Sequence, residues 1–195
     1  TINEFSNCDV RQLAIKLLNT VDVFGELRLG TVMPKNVVKT VLDQMNGLPR
    51  FYHNGFHVVN MLDRIFSMGL WQGEDGRNLI IATAFHDYYE DNVSAIKISP
   101  EITELFMKNL YGFNRKFNST KTEILIKSTD YTRFEKHLYE VSPEFDEQIK
   151  IMHDLDYSIF CSSPRIYIDY IKRIRKEFKN LSNDAWMTGR SDFLT

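Results

Sequence analysis

The sequence predicts an all-α fold, and three observations carry that prediction. Apolar residues recur at spacings of three and four along most of the chain, which is the pattern of amphipathic helices. Serine followed by proline occurs three times at points where a helix can begin, because the hydroxyl caps the helix and proline suits its first position. Strand-like alternation between tight turns is nowhere convincing. About seven to nine helices account for these features.

Length and composition favour a single globular domain. The chain has 195 residues, of which 43% are apolar and 26% charged, and this balance excludes disordered, fibrous and collagen-like proteins. A net charge of −2 gives no general attraction to nucleic acid or to an acidic membrane. No signal peptide is visible, and no apolar run approaches the ~20 residues of a membrane span. We therefore expect a cytoplasmic protein with neither long nucleic acid nor a membrane as its partner.

Apolar spacing and capping residues predict the helices in order along the chain. Asn54 can cap a helix whose apolar stripe runs from Val58 to Phe66, and Thr120 to Glu123 fits a capping box. Further helical spacing lies in Val10–Phe24, Val37–Met45, Leu79–Phe85 and Ile102–Tyr111, and helix starts lie at Ser99-Pro100, Ser142-Pro143 and Ser163-Pro164. In the last of these helices we expect a buried stripe of Ile168, Ile171, Ile174 and Phe178.

The two cysteines, Cys8 and Cys161, lie far apart in the sequence and have no CxxC partners. This spacing supports neither a disulfide framework nor a cysteine zinc site. We interpret both as reduced residues that pack in or near the core.

Three of the five histidines lie in two short motifs. His53 and His57 flank the start of the helix that Asn54 caps, so both imidazoles can face the same space. His86-Asp87 closes the apolar segment that ends at Phe85, and a rigid apolar helix can present such a pair from its polar end. Either motif alone occurs by chance in many proteins, whereas the two together indicate a site.

A later carboxylate completes this set. Asp154 and Asp156 lie in the helix that Pro143 opens. Two residues that are two positions apart on a helix point ~200° apart, so both are not expected to reach one ion.

The ordered set of His, His-Asp and Asp resembles the HD-domain superfamily of metal-dependent phosphohydrolases. The run from Tyr52 to His57 is similar to the Tyr-His-Asn-x-x-His motif of small bacterial and phage-type HD proteins and of cyclic-nucleotide phosphodiesterases. The run from Ile174 to Phe178 is similar to the Ile-Arg-x-Glu-Tyr run of the small HD proteins, and Gly189-Arg190 also fits. The resemblance implies one HD-type helical bundle over 1–195, with N-terminal helices in 1–47 packed on a motif-bearing core in 48–195.

The resemblance also assigns roles. It implies that one divalent cation is held by His57, His86, Asp87 and Asp156, with Asp154 behind the ligands or at the surface. It casts His53 as the proton donor to the leaving oxygen, so that His53 and Asp87 are the expected catalytic residues. Imidazole and carboxylate ligands suit Mn²⁺, Fe²⁺, Co²⁺, Ni²⁺ or Zn²⁺, and Mg²⁺ is a further candidate.

Three departures from the family predict one metal ion rather than two. The phosphodiesterases carry a further histidine three residues after the His-Asp pair, where this chain has Glu90. The segment after Asp87 is shorter than in the small HD proteins. Those proteins also often carry a histidine shortly after a threonine in the middle helix, and this chain has none after Thr129. Glu90 or Asp91 can orient a metal-bound water, or both can be solvated residues at a helix end; the sequence leaves this open, as it does the role of Asp154.

Candidates for substrate binding are Tyr52, Arg175 and Arg190. The two arginines lie in family-like motifs, and guanidinium groups suit phosphate. Tyr52 belongs to the aromatic residues around the motifs, where it can stack on a base or pack in the core. Other basic residues after Pro164 are interpreted as a solvated helix face: Lys172, Arg173, Lys176 and Lys179.

The sequence thus favours a hydrolase of a small phosphorylated compound such as a nucleotide, either a phosphomonoester or a cyclic phosphodiester. Attack by metal-bound hydroxide is the expected chemistry. The alternative is a catalytically idle HD domain that binds a nucleotide or a partner protein. A two-iron oxygenase is a third possibility within the same superfamily.

Overall fold

Seven α-helices and two short 3₁₀ segments form the regular structure of the part of the chain that the computed structural model describes. The described residues are 29–30, 32–33, 35–47, 50–88, 117–129 and 143–194. The helices are α1 (Lys35–Gly47), α2 (Gly55–Ser67), α3 (Gly73–Phe85), α4 (Ser119–Ser128), α5 (Asp146–Asp156), α6 (Pro164–Glu177) and α7 (Asn183–Leu194). The 3₁₀ segments are Pro143–Phe145 and Tyr157–Cys161. No strand occurs among these residues, and the all-α prediction is confirmed.

Helix α2 begins where the sequence predicts. Asn54 has extended backbone angles, and its side-chain oxygen accepts a hydrogen bond from the N–H of Phe56 at 3.0 Å. This bond satisfies one of the free N–H groups of the first turn. It also fixes the first turn of α2, in which His57 lies.

Helix α3 is the central helix of the described core. Every residue from Asn78 to Phe85 is buried, and the helix packs against α2, α4 and α5. Gly76 lies so close to the preceding chain that a Cβ atom there would be 2.2 Å from the carbonyl carbon of Trp71. Glycine is therefore required at this position, and it lets the chain before α3 approach the helix.

The start of α4 differs from the predicted capping box. Asn118 caps the helix, and its side-chain oxygen accepts from the N–H of Lys121 at 3.0 Å, so Thr120 already lies inside α4. The backbone N–H of Asn118 in turn donates to the side chain of Asn78 at 2.8 Å. Asparagine is a stronger cap than threonine, and this long-range bond to α3 adds to the preference.

Helix α6 starts at Pro164 as predicted, although the Ser163 side chain makes no capping hydrogen bond. The predicted buried stripe is wrong at Ile168, and Ile171 and Phe178 are only half-buried. The side chain of Ile168 is 53% exposed, and the buried positions are Tyr170, Ile174 and Glu177. These three follow the spacing i, i+4, i+7 of one helix face. Ile168 precedes Ile174 by six residues, about 600° of rotation, and so lies roughly 120° away from that face.

Other expectations meet the structure only in part. Cys161 is exposed rather than packed in the core. No helix in the described ranges is both long and apolar enough to cross a membrane. Several helices are expected in 1–47, and among the described residues of that range α1 is the one that is observed. Outside the described residues lie Cys8, Val10–Phe24, Glu90, Asp91, Ser99-Pro100 and Ile102–Tyr111.

Candidate metal centre

The ends of three helices bring four of the predicted site residues together. His57 lies in the first turn of α2, His86 and Asp87 follow the last residue of α3, and Asp156 is the last residue of α5. We call these four residues the ligand cluster. His57, His86 and Asp87 are 7%, 0% and 4% exposed, so these three lie inside the protein, while Asp156 is half-buried.

The donor atoms of the ligand cluster lie within a few ångströms of one another. The Nε2 atoms of His57 and His86 are 3.2 Å apart. Asp87 Oδ2 lies 3.0 Å from His86 Nε2 and 3.5 Å from His57 Nε2. Asp156 Oδ1 lies 3.0 Å from His57 Nε2 and 3.5 Å from His86 Nε2. Two imidazoles and two carboxylates therefore converge on one small volume.

The tautomer of His86 shows why this arrangement suits a cation. His86 Nδ1 lies 2.9 Å from the backbone carbonyl of Thr83, and because a carbonyl only accepts, Nδ1 carries a proton. Either a proton or a bound cation must stand between Nε2, the other ring nitrogen, and the carboxylate oxygen Oδ2 of Asp87 that it faces. That oxygen is buried and has no hydrogen-bond partner in the described part of the chain. His57, His86 and Asp87 can thus hold a metal ion, since a cation satisfies all of these lone pairs.

Within the ligand cluster, the carboxylates raise the pKa of His86, and the histidines lower the pKa values of Asp87 and Asp156. Burial opposes the charged form of His86, but the carboxylates of Asp87 and Asp156 outweigh it and raise its pKa. Burial likewise opposes the ionisation of Asp87, yet the neighbouring histidines, His86 first, hold its pKa far below the usual range. The pKa of Asp156 is lowered in the same way by hydrogen bonds from His57 and His86. Both carboxylates are therefore ionised and available as ligands.

The two carboxylates in the last turn of α5 have different surroundings. Asp156 reaches the cluster, whereas Asp154 is exposed. His153, in α5, donates from Nε2 to the carbonyl of Ser128, the last residue of α4, at 2.7 Å. His153 therefore joins two helices and stands apart from the four residues of the ligand cluster.

His53 lies beside the ligand cluster and is held by Glu177. The rings of His53 and His57 have centroids 6.1 Å apart, and His53 Nδ1 is 2.7 Å from Glu177 Oε2. The other carboxylate oxygen, Oε1, accepts from the N–H groups of Phe51 and Tyr52, each at 2.6 Å. It also accepts from the N–H of His53 at 3.2 Å. One carboxylate thus fixes both the imidazole and the backbone that carries it.

The structure adds Glu177 to the residues that sequence reasoning identified. Burial opposes its ionisation, but hydrogen bonds from His53 and from the backbone lower its pKa, so the carboxylate is charged at neutral pH. The sequence contained a signal, because a glutamate three residues after Ile174 and seven after Tyr170 falls on the buried face of α6. A charged residue on an apolar face needs a partner, although the sequence does not say which one.

Tyr52, a predicted substrate-binding residue, packs against the site. Its ring centroid lies 4.9 Å from that of His57, 5.0 Å from that of His53 and 4.6 Å from that of Tyr170. Burial, followed by the negative charge of Asp156, raises the pKa of Tyr52, so its hydroxyl keeps its proton. Its ring covers one side of His57.

The two predicted phosphate-binding arginines differ in how fully they are engaged. Arg175 donates to the carbonyls of Phe178 at 2.6 Å and Leu181 at 3.1 Å, and to the side chain of Asn183 at 3.1 Å. A phosphate there would compete with three protein acceptors. The role of Arg175 in substrate binding stays a prediction.

Arg190 lies over the rings of Tyr170 and Phe193, at 5.4 and 4.9 Å from their centroids. Burial raises the pKa of the Tyr170 side chain, and the positive charge of Arg190 opposes this rise. Its Nε and Nη2 atoms have no hydrogen-bond partner among the described residues. Because Tyr170 contacts Tyr52, Arg190 connects to the site through two aromatic rings.

Comparison with known proteins leaves the family open. A scan against protein-family models and searches of the curated proteins and of the solved structures found no match to this chain. The resemblance to the HD-domain superfamily therefore rests on the motifs of this sequence and stays a prediction. The geometry of the ligand cluster stands independently of it.

Proposed function

We propose that this protein is a metal-dependent phosphohydrolase of the HD type that acts on a small phosphorylated compound, with nucleotides as the favoured class. The observation that carries the proposal is the pairing of two different histidine environments. His57 and His86 belong to a buried set of metal-ligand atoms, while His53 lies beside that set in a hydrogen bond to a carboxylate. Hydrolysis of a phosphate ester needs both parts, a cation and a proton donor.

The proposed ligands are His57, His86, Asp87 and Asp156. Two imidazoles and two carboxylates match the preference of Mn²⁺, Fe²⁺, Co²⁺, Ni²⁺ and Zn²⁺, and Mg²⁺ remains a candidate because half of the set is oxygen. When bound, such an ion supplies Lewis acidity toward the phosphoryl group and lowers the pKa of water. Asp156 is included because its Oδ1 atom is as near to the two imidazoles as Oδ2 of Asp87.

His53 is the proposed proton donor. Its Nδ1 is engaged by Glu177, and Nε2 is the ring nitrogen proposed to exchange a proton with the leaving oxygen. The ionised Glu177 stabilises the protonated imidazole and fixes the ring orientation. Tyr52 excludes water from one side of His57, and the guanidinium of Arg190 is the favoured contact for a further phosphate oxygen.

Replacement of His53 tests this proposal. The wild-type protein should hydrolyse at least one member of a panel of nucleotides and simple phosphate esters in the presence of Mn²⁺, Co²⁺ or Ni²⁺. We expect His53→Ala to lower kcat by about 10²–10⁴-fold, the range for a positioned proton donor, and to keep its bound metal. His153→Ala is the matched control, since it removes a histidine that bonds a backbone carbonyl outside the ligand cluster.

Two results would contradict the enzyme. If the metal-loaded wild type turned over no phosphate compound but bound nucleotides saturably, the protein would be the idle binding domain instead. If His53→Ala and His153→Ala had equal kcat values, His53 would not be the proton donor.

A further inference from the structure

Arg50 joins the backbone of the two histidine motifs. Its guanidinium Nη1 donates to the carbonyl of Asp87 and, at 3.2 Å, to the carbonyl of His53. Its Nη2 donates to the carbonyl of Tyr88 at 2.9 Å. Nη1 also lies 3.2 Å from the sulfur atom of Met45 in α1. One side chain therefore links the loop before α2 to the end of α1 and to the segment after α3, which lies 37 positions further along the chain.

The accepting carbonyls lie where the chain leaves α3. This helix ends at Phe85, and the carbonyls of Asp87 and Tyr88 come after its last hydrogen-bonded turn, where partners must come from outside the helix. A positive charge at the C-terminal end of a helix is also favourable, because the helix dipole places partial negative charge there. The guanidinium supplies both the donors and the charge.

The bond to His53 gives this contact a functional meaning. Asp87 belongs to the ligand cluster and His53 lies beside it, and the same Nη1 atom is bonded to the carbonyls of both. Glu177 fixes the imidazole of His53 from the α6 side, whereas Arg50 ties the backbone of His53 to that of Asp87. The backbone of His53 and that of Asp87 are therefore joined through one nitrogen atom.

We propose that Arg50 is a positioning residue that sets the separation between His53 and the ligand Asp87. The inference rests on the proposed function, because it assigns Arg50 to the geometry of that same site. The planar fork of a guanidinium reaches several carbonyls at fixed angles, whereas a lysine ammonium is a single point donor on a flexible stem. Lysine at this position keeps the charge and loses the shared geometry.

The test compares Arg50→Lys and Arg50→Gln with the wild type by titration calorimetry with Co²⁺ and by steady-state kinetics. We expect both variants to bind Co²⁺ about 10–100-fold more weakly, the range for residues that support a metal ligand. For Arg50→Lys we expect kcat to fall by about 10²-fold while KM changes little, since a misplacement of about 1 Å has an effect of this size. Circular dichroism and thermal unfolding show whether each variant is folded.

Arg175→Lys is the matched control for metal affinity. It removes another guanidinium that donates to backbone carbonyls beyond a helix end, at α6 instead of α3. We expect it to lower the unfolding temperature and to leave the Kd for Co²⁺ at the wild-type value. A similar loss of Co²⁺ affinity in Arg175→Lys would attribute the effect to general destabilisation and overturn the proposal.

The failure of this inference and that of the proposed function are distinguishable. If the wild type binds Co²⁺ and turns over substrate, and the folded Arg50 variants match it in Kd and kcat, Arg50 does not position the site. If the wild type itself binds no Co²⁺, the proposed function fails and this inference fails with it. If both variants unfold, a third variant, Arg50→Ala, serves as the test. A low concentration of a guanidinium salt, which supplies the missing group in solution, must then restore Co²⁺ binding to Arg50→Ala. No restoration overturns the proposal.

Discussion

The helices that carry the ligand cluster and the two C-terminal helices differ in how they are buried. Helix α3 is buried at every position from Asn78 to Phe85, and α2 and α5 each bury an apolar face against the same core. Helix α6 buries Tyr170, Ile174 and Glu177, and in α7, all of which is described, no residue is buried. The same chain thus combines a closely enclosed candidate metal centre with a loosely enclosed layer of aromatic and basic residues.

This contrast teaches how the proposed chemistry is divided. A ligand set must hold its geometry closely, and helices fixed by a close-packed core provide that. A surface that binds a substrate needs access to solvent, and α6 and α7 offer aromatic rings and guanidinium groups there. Glu177 is the point where the two regions meet, because it lies on α6 and holds His53 beside the metal centre.

The largest expected effect comes from a pair of isoleucines, one in each region. Ile65 in α2 is 0% exposed and Ile168 in α6 is 53% exposed. We expect Ile65→Ala to lower the free energy of unfolding by about 2–5 kcal/mol, because it leaves a cavity in the core. Ile168→Ala should change it by less than about 0.5 kcal/mol. Urea denaturation of both variants measures this, and equal losses would remove the contrast between the regions.

A smaller effect is expected at Arg190, on the substrate side. Hydrogen bonds to charged groups contribute about 1.5–3 kcal/mol, so Arg190→Met should raise KM for a phosphorylated substrate about tenfold or more. Its kcat should change much less, since the ligand cluster is untouched. Arg173→Met is the control, because Arg173 is exposed and pairs with Asp169 on its own helix. Steady-state kinetics measure both constants. A fall in kcat with an unchanged KM would mean that Arg190 acts in the chemical step and not in substrate binding.

The smallest effect is a pH dependence that Glu177 produces. Its pKa is lowered in the folded protein, so its contribution to stability is fully present above its unfolded pKa of ~4.5 and is lost as the pH falls through the lower folded value. The stability difference between wild type and Glu177→Gln should therefore be largest near pH 7 and shrink below about pH 4.5. Urea unfolding across this pH range measures the difference, and a constant gap would mean that the charge of Glu177 does not stabilise the fold.

Local signals in the sequence predicted a large part of this structure. The all-α class, the cap at Asn54 and the helix start at Pro164 follow from spacing and from residues within one turn, so they needed no knowledge of the tertiary fold. The four residues of the ligand cluster were proposed from the resemblance, and the structure brings them together.

Long-range contacts set the limit of sequence reasoning. Glu177 lies more than a hundred positions from the backbone groups that it binds, and Arg50 lies 37 positions from the carbonyl of Asp87. Neither pairing leaves a periodic pattern. Ile168 shows the same limit, because a run of isoleucines identifies an apolar stripe but not the part of it that a neighbour covers.

The metal content of the purified protein tests the central claim most directly. After incubation with Co²⁺ and removal of the unbound ion, elemental analysis should find about one ion per chain in the wild type and in His153→Ala, and none in His86→Ala. His153→Ala makes the same substitution as His86→Ala, but at a histidine that lies outside the ligand cluster. An equal metal content in His86→Ala, or none in the wild type, would contradict the assignment of the site.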